Sequence, residues 1–398
     1  MRTGDLARRL LDAGYSVTWW TSRFDHQRKI FRTYPSVFCP LGPRYTVALL
    51  EGPGYGRNMS WQRVRHYRSI AAHFSGLAGT LCKPALVLGS YPSAELCDAG
   101  RCYARRQHVP FIVDIRDPWP DIFRYYLPTG LGWILLPALW YYRRKIRAIA
   151  RDATSIVAVS RAMLEWGIGY SRRARAELDQ VFPIGFRRHP QDRKIVVPER
   201  FTETDPLVCL FATTCGKSYD GKLLIDAARI LTVAGDHRVR FVVTGDGEMR
   251  SQWIAHAKGL TCVNFTGWIP DAELEAHFRA AHLGLVLLKG GIVRFWLGNK
   301  IFEYLSAFLG VVNDVVGEPA EIVSSRDVGI NVDRQNPESL AQGLRALADD
   351  PGCVRRYMEN ARRSFKMEFD REAIEAKYLE YLRGVILIHR KQNQGTQR

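Results

Sequence analysis

Short runs of consecutive apolar residues alternate along this chain with longer stretches in which apolar positions recur every three or four residues. The runs predict strands buried on both faces, and the stretches predict amphipathic helices that cover them, which together indicate a parallel α/β protein. In the first half the pattern places strands at 16–20, 85–89, 111–114 and 155–159. The second half repeats the rhythm, with strands at 208–212, 238–244, 263–265, 284–288 and 310–313. Residues 183–205 are rich in proline and charge and carry little periodicity, so they read as a linker. The expected organisation is a first domain over 1–185, a second over 206–370, a terminal helix over 371–388 and a frayed polar tail over 389–398.

Composition agrees with two domains. A chain of 398 residues is too long for one comfortable core, and 46% hydrophobic content is ample for two, which also excludes disorder. Eight cysteines show no C-x-x-C pair and read as reduced thiols in a cytosolic protein. No secretory signal stands at the N-terminus. The net charge of +17 points to a polyanionic neighbour: nucleic acid, an anionic membrane face or phosphate-bearing substrates. Nucleic acid is disfavoured by the lack of zinc-finger spacing, an RNP-like motif or a recognition helix. Residues 131–142, LGWILLPALWYY, run directly into Arg143-Arg144-Lys145-Ile146-Arg147. That apolar run is too short to span a bilayer and is interrupted by Pro137. It suits either a segment lying in the headgroup region of an anionic leaflet or a buried helix with a solvated basic end.

Candidate chemistry concentrates in GNKIFEYLSAFLGVV, residues 298–312. Asn299 is placed to cap a helix whose first-turn N–H groups face an anion such as a diphosphate, with Lys300 adding mobile charge. Glu303 lies on a polar or small face made with Asn299, Lys300, Ser306 and Ala307, opposite the apolar Ile301, Phe302, Leu305 and Leu309. Glu318 and Glu321 follow the next strand in GEPAE. DIRDPWP, residues 114–120, sits at the carboxyl end of a predicted strand, where open α/β folds place ligands. The second half opens with LVCLFATTCGKSYDGKLL, a strand and a loop holding Gly216, Lys217 and Lys222. Gly245-Asp246-Gly247-Glu248 and Gly267-Trp268-Ile269-Pro270 end two further strands. There is no G-x-x-x-x-G-K-[ST] loop, G-x-S-x-G elbow or metal-ligand cluster in the sequence.

In these phrases the chain resembles, along nearly its whole length, the family 4 retaining glycosyltransferases of GT-B fold. It is most similar to the subgroup that builds bacterial surface polysaccharides, such as lipopolysaccharide and exopolysaccharide, which carries NKIFEYLSA-like phrases. The resemblance implies two Rossmann-like domains with parallel sheets facing a central cleft, and a terminal helix that crosses back to the first domain. It implies transfer of a hexosyl or N-acetylhexosaminyl group, with retention, from a nucleotide diphosphate sugar to a lipid-linked or polysaccharide acceptor. No metal or other cofactor is expected, and the enzyme is expected to be cytoplasmic, peripheral on the inner face of the cell membrane.

The resemblance also assigns roles. Gly216, Lys217 and Lys222 would face the leaving diphosphate, Gly245 and Ile269 the nucleotide, Glu303 the ribose, and Asn299, Lys300, Glu318 and Glu321 the rest of the donor. On the acceptor side it places His26, from SRFDHQRK, with Arg116 and Asp117. Arg116 stays protonated, so Asp117 is the candidate for orienting or deprotonating the acceptor hydroxyl. Lys222 and Glu303 complete the catalytic set. Two departures stand out. Phe295 occupies the position where other members carry a first glutamate, and the chain opens at the helix that usually follows a first strand and glycine-rich loop. The missing strand implies a start further upstream or a truncated copy. The alternatives are a GT-B nucleotide-sugar epimerase, or a non-catalytic homologue acting as a partner protein.

Overall fold

The computed structural model describes residues 2–34, 36–57, 60–125, 136–187, 194–290 and 297–395. It forms two compact units, Met1–Pro183 with Glu375–Arg398, and Ile184–Ile374.

The first unit begins with α1 (Arg2–Asp12), β1 (Val17–Ser22), β2 (Phe24–Asp25), β3 (Ile30–Phe31), β4 (Phe38–Gly42) and β5 (Tyr45–Leu50). There follow α2 (Trp61–Leu77), β6 (Val87–Tyr91), α3 (Ala94–Gln107), β7 (Phe111–Ile115), α4 (Leu136–Asp152), β8 (Ser155–Ala158), α5 (Arg161–Ser171) and β9 (Gln180–Val181). Parallel strands β6-β7-β8-β9 make one sheet. A second sheet has the order β1-β5-β4, with β1 parallel and β4 antiparallel to β5. The central β7 and β8 are buried throughout. By contrast β1 and β6, each paired on one side among the described residues, are only partly buried. Helix α2 covers both sheets: its Ile70 and Phe74, with Ala78 just beyond its end, pack with Leu50 and Tyr103, and against Trp20 and Val87. Its start is set by Ser60, whose Oγ accepts the Arg63 N–H at 3.2 Å. No strand precedes α1 among the described residues.

The second unit contains β10 (Leu207–Ala212), α6 (Gly221–Val233), β11 (Val239–Thr244), α7 (Arg250–His256), β12 (Val263–Gly267), α8 (Asp271–Ala280) and β13 (Leu283–Val286). It continues with α9 (Asn299–Ser306), β14 (Gly310–Asn313), α10 (Glu318–Ser325), β15 (Gly329–Asn331), α11 (Pro337–Asp349) and α12 (Pro351–Ser364). All six strands are parallel, in the order β12-β11-β10-β13-β14-β15. Apolar clusters cover the two faces, one built on α6, α11 and α12 and the other on α9 with α8 and α10. The strand order reverses between β10 and β13, and at such a switch point the βα turns splay apart at the carboxyl ends and open a ligand crevice.

Helix α13 (Arg371–Gly395) is shared, its first four residues belonging to the second unit and the rest to the first. It corrects the expected tail: 389–395 is helical, because no glycine or proline falls between Gly384 and Gly395 to end the helix sooner.

Candidate active site

In the second unit, the turns after β10, β11, β13 and β14 are stitched together at the carboxyl ends of their strands. Thr213 N–H donates to Thr244 O at 3.0 Å, Met249 N–H to Cys215 O at 2.9 Å and Lys289 N–H to Ser218 O at 2.8 Å. Gly245, at φ 111°, lies so close to β10 that a Cβ there would sit 1.7 Å from Thr213 O. Only glycine allows that approach together with that backbone angle. The Asp314 carboxylate accepts the Leu288 N–H at 2.9 Å, and Asp220 caps α6 while pairing with Lys289 at 3.1 Å.

Helix α9 delivers Glu303 to this corner. Tyr304 is fully buried, its Oη accepting the Ala212 N–H at 3.1 Å, so α9 is locked under the end of β10. Glu303 is held by Lys300, whose Nζ donates to Oε2 at 2.6 Å, and by helix spacing the two side chains share one face. Burial raises the Tyr219 hydroxyl above its usual value, and the Glu303 carboxylate adds to the shift. One expectation is corrected: Gly298, not Asn299, is the N-cap, and Asn299 is the first helical residue, with no side-chain cap present. The extended Gly298 backbone leaves the turn to end without a side-chain acceptor.

Around this pair, Lys217 is largely exposed and pairs with Glu248 at 3.2 Å. Lys222 pairs with Asp226 on its own helix at 2.5 Å, and the other Asp226 oxygen meets His256 Nε2 at 2.6 Å. Gly216 and Ile269 are partly buried in their turns, and Trp268 beside Ile269 is 76% exposed. Glu318 opens α10 behind Gly317, at φ 84°, and Glu321 is exposed one turn on. Phe295 lies outside the described residues.

In the first unit, the turn after β7 is pinned at both ends. Asp114 is fully buried and accepts Arg116 Nη2 at 2.8 Å and Nε at 3.1 Å. Asp121 accepts Trp166 Nε1 at 3.0 Å, Tyr170 Oη at 2.9 Å and Arg143 Nη2 at 3.1 Å. Asp117 lies between these anchors and is exposed at its surface, while the surrounding protein raises its carboxyl above the ordinary value against the pull of Arg116. His26, exposed in the β2–β3 hairpin, is held below its usual value by partial burial and by Lys29 and Arg63. Among the described residues there is no group of three or more His, Cys, Asp or Glu arranged to hold a metal ion.

Comparison with known families bears on both units. Residues 2–178 match the model described as Glycosyltransferase Family 4, and residues 206–350 match that described as Glycosyl transferases group 1. The chain is built from two glycosyltransferase domains. No curated protein matches it in sequence. A sucrose-phosphate synthase from Thermosynechococcus elongatus superposes with a TM-score of 0.65 at 16% identity, over 96% of this chain and 92% of that one. A UDP-forming trehalose-phosphate synthase from Burkholderia xenovorans does so with a TM-score of 0.65 at 15% identity, over 96% and 97%. Anabaena HepE in complex with UDP-glucose gives 0.56 at 18% identity, over 85% and 86%. At these identities the likeness is one of fold, and the fold is GT-B.

In the second unit Lys300 and Glu303 pair on α9, and Gly216, Lys217 and Gly245 lie on the turns that follow β10 and β11 at the carboxyl ends of the sheet. Asp117, Arg116 and His26 belong to the first. Sequence reasoning missed Asp314 and Tyr219, which sit on the turns that follow β14 and β10. The Asn-Asp pair ending the apolar run 310–312 was the available signal for the first, and an aromatic inside the loop GKSYDG for the second.

Proposed function

We propose that the protein transfers a sugar from a nucleoside diphosphate donor to an acceptor hydroxyl, with retention at the anomeric carbon. The observation that carries this reading is the Lys300–Glu303 pair on α9, the helix that Tyr304 locks under the end of β10 at the switch point of a parallel sheet. Glu303 accepts hydrogen bonds from the donor ribose, and the turns holding Gly216, Gly245 and Ile269 surround the nucleotide. Lys217 stabilises the charge that builds on the departing phosphate, and Lys222 joins it by exchanging Asp226 for a phosphate oxygen. Glu318 and Glu321 border the donor sugar. The sugar C–O bond to phosphate breaks as the acceptor oxygen attacks from the same face, and the hydroxyl proton passes to the leaving phosphate oxygen. Asp117 orients that hydroxyl, beside Arg116 and His26. The chemistry uses the donor's own phosphate and no metal or cofactor.

Solved GT-B relatives that form UDP or were crystallised with UDP-glucose support a uridine donor carrying a hexosyl or N-acetylhexosaminyl group. The acceptor in this reading is lipid-linked, or a polysaccharide presented at the cytoplasmic membrane face, as in lipopolysaccharide or exopolysaccharide synthesis. The exposed stripe of α4 favours the membrane: Leu136, Trp140, Arg144, Arg147 and Arg151 fall on one face, apolar at one end and basic at the other. The deciding experiment measures UDP release from UDP-sugars with and without lipid-linked acceptors. Acceptor-dependent release that drops at least about a hundredfold in Glu303→Gln is expected, as for removal of a preorganised polar contact to a reacting complex. Release indifferent to acceptor would instead indicate hydrolysis or epimerisation.

A further inference from the structure

Where the β2–β3 hairpin of the first unit meets the start of α2 and the turn after β7, aromatic rings and cations interleave. The Arg63 guanidinium carbon lies 4.7 Å from the ring centre of Trp119, 5.4 Å from Tyr67 and 5.7 Å from Tyr55. Arg63 Nη2 also donates to Tyr67 Oη at 3.3 Å, and Lys29 Nζ lies 4.4 Å from the Tyr55 ring. Segments distant in sequence therefore supply one cage: the hairpin, Tyr55 with the first two turns of α2, and the turn at 119.

The floor of the cage is rigid and neutral. His66 is 1% exposed, and its Nδ1 accepts the Gly54 N–H at 3.1 Å. Its proton therefore sits on Nε2, which donates to Ser22 Oγ at 3.0 Å. Burial holds this imidazole below its usual value. Gly54, at φ 73°, leaves no room for a Cβ, which would meet Phe31 at 2.9 Å and Phe24 at 3.1 Å. Tyr55 thus follows a position that only glycine fits. Above it the local field is largely cationic: Lys29, Arg63 and Arg32 all lower His26, and Asp25 opposes them.

A guanidinium stacked against rings keeps its N–H donors in one plane, suited to two oxygens of a phosphate, and an adjacent ammonium adds a point charge. The partly exposed Tyr67 and Trp119 offer apolar faces to the C–H side of a sugar ring. We infer that this corner is the subsite for the phosphate of a phosphate-bearing acceptor, with Arg63 and Lys29 as its cations and Tyr55, Tyr67 and Trp119 as its walls. The word acceptor rests on the transferase reading above; the affinity for phosphate does not.

The test uses the full-length protein with inorganic pyrophosphate as probe and the His26 ring proton followed by NMR through a pH titration. Pyrophosphate is expected to raise the His26 titration midpoint by about 0.5 pH or more, as a nearby anion favours the charged imidazole. Arg63→Gln and Lys29→Gln should each weaken pyrophosphate at least about tenfold while UDP affinity is unchanged, and Arg63→Lys should fall between. Unchanged UDP affinity and an unchanged His66 resonance establish that a variant has kept its fold. In turnover, Arg63→Gln should raise KM for a diphosphate-linked acceptor and leave donor KM alone. A His26 titration indifferent to pyrophosphate, or equal pyrophosphate affinity in all variants, overturns the subsite. If pyrophosphate binds as expected but no donor is ever turned over, the subsite stands and the transferase reading falls.

Discussion

A carboxylate with one oxygen bonded and the other enclosed is a costly place for charge, and Asp314 is such a group. It is 2% exposed, with Oδ1 on the Leu288 N–H and Oδ2 without a hydrogen-bond partner. Burial, with Asp220 nearby, pushes its carboxyl up to about 6 against the pull of Leu288 N–H and Arg334. Between the ordinary value of 3.8 and about 6 the folded protein holds a proton that the unfolded chain has lost. Stability from this group therefore falls as pH rises through that window and stays reduced above it, by at most about 3 kcal/mol. Asp314→Asn should raise the melting temperature at pH 8 and make no difference near pH 4, checked by calorimetry at both values. An equal change at both would rule out ionisation as the cause. Legibility at this scale was uneven. Lys300 and Glu303 stand three apart on a helix face, so their pairing follows from spacing. The burial of Asp314, four residues after Gly310, depends on which turn packs over it.

Elements were legible where burial is two-sided. The strands expected at 111–114, 155–159, 208–212 and 310–313 match β7, β8, β10 and β14 to within a residue or so, because a central parallel strand must be apolar on both faces. The short β2, β3, β9 and β15 and the β4–β5 pair escaped notice. These have two to six residues, one carries Pro40, and partial exposure dilutes their pattern. What joins elements was not legible at all: Gly284 on β13 is glycine because the Tyr304 ring of α9 occupies its side-chain space, 2.2 Å from where a Cβ would lie. Gly284→Ala should therefore destabilise the protein by about 1–3 kcal/mol through overpacking, measured by urea unfolding. Gly76→Ala, in α2 with no atom within 4 Å of the added methyl, should stabilise by up to about 1 kcal/mol. Equal effects at the two sites would contradict the packing account.

At the scale of the whole molecule, an excess of 57 basic over 40 acidic residues gives the charge of +17 and favours an anionic surface. No described helix is long and apolar enough to cross a membrane. On α4, Arg143 and Lys145 are committed to Asp121 and Asp98, whereas Arg144 and Arg147 are exposed near Trp140, which is itself 63% exposed. Co-sedimentation with phosphatidylglycerol vesicles is expected to exceed that with phosphatidylcholine and to weaken with salt. Replacing Arg144 and Arg147 by Gln should lower partitioning roughly thirtyfold, at about 1 kcal/mol for each cation. Equal binding to both vesicle types would reject the electrostatic account.

The sequence by itself determined the α/β alternation, which follows from local periodicity, whereas the GT-B architecture and the glycosyltransferase character were implied by the resemblance of short phrases to a known family. Tertiary structure alone decided which side chains share a site. Tyr304 reaching under β10, Asp314 closed in beneath the Leu288 turn, and Arg63 caged by Tyr55, Tyr67 and Trp119 each join segments far apart in the chain. Such meetings are set by sheet order and helix docking, whose energy comes from buried area that no single segment contains.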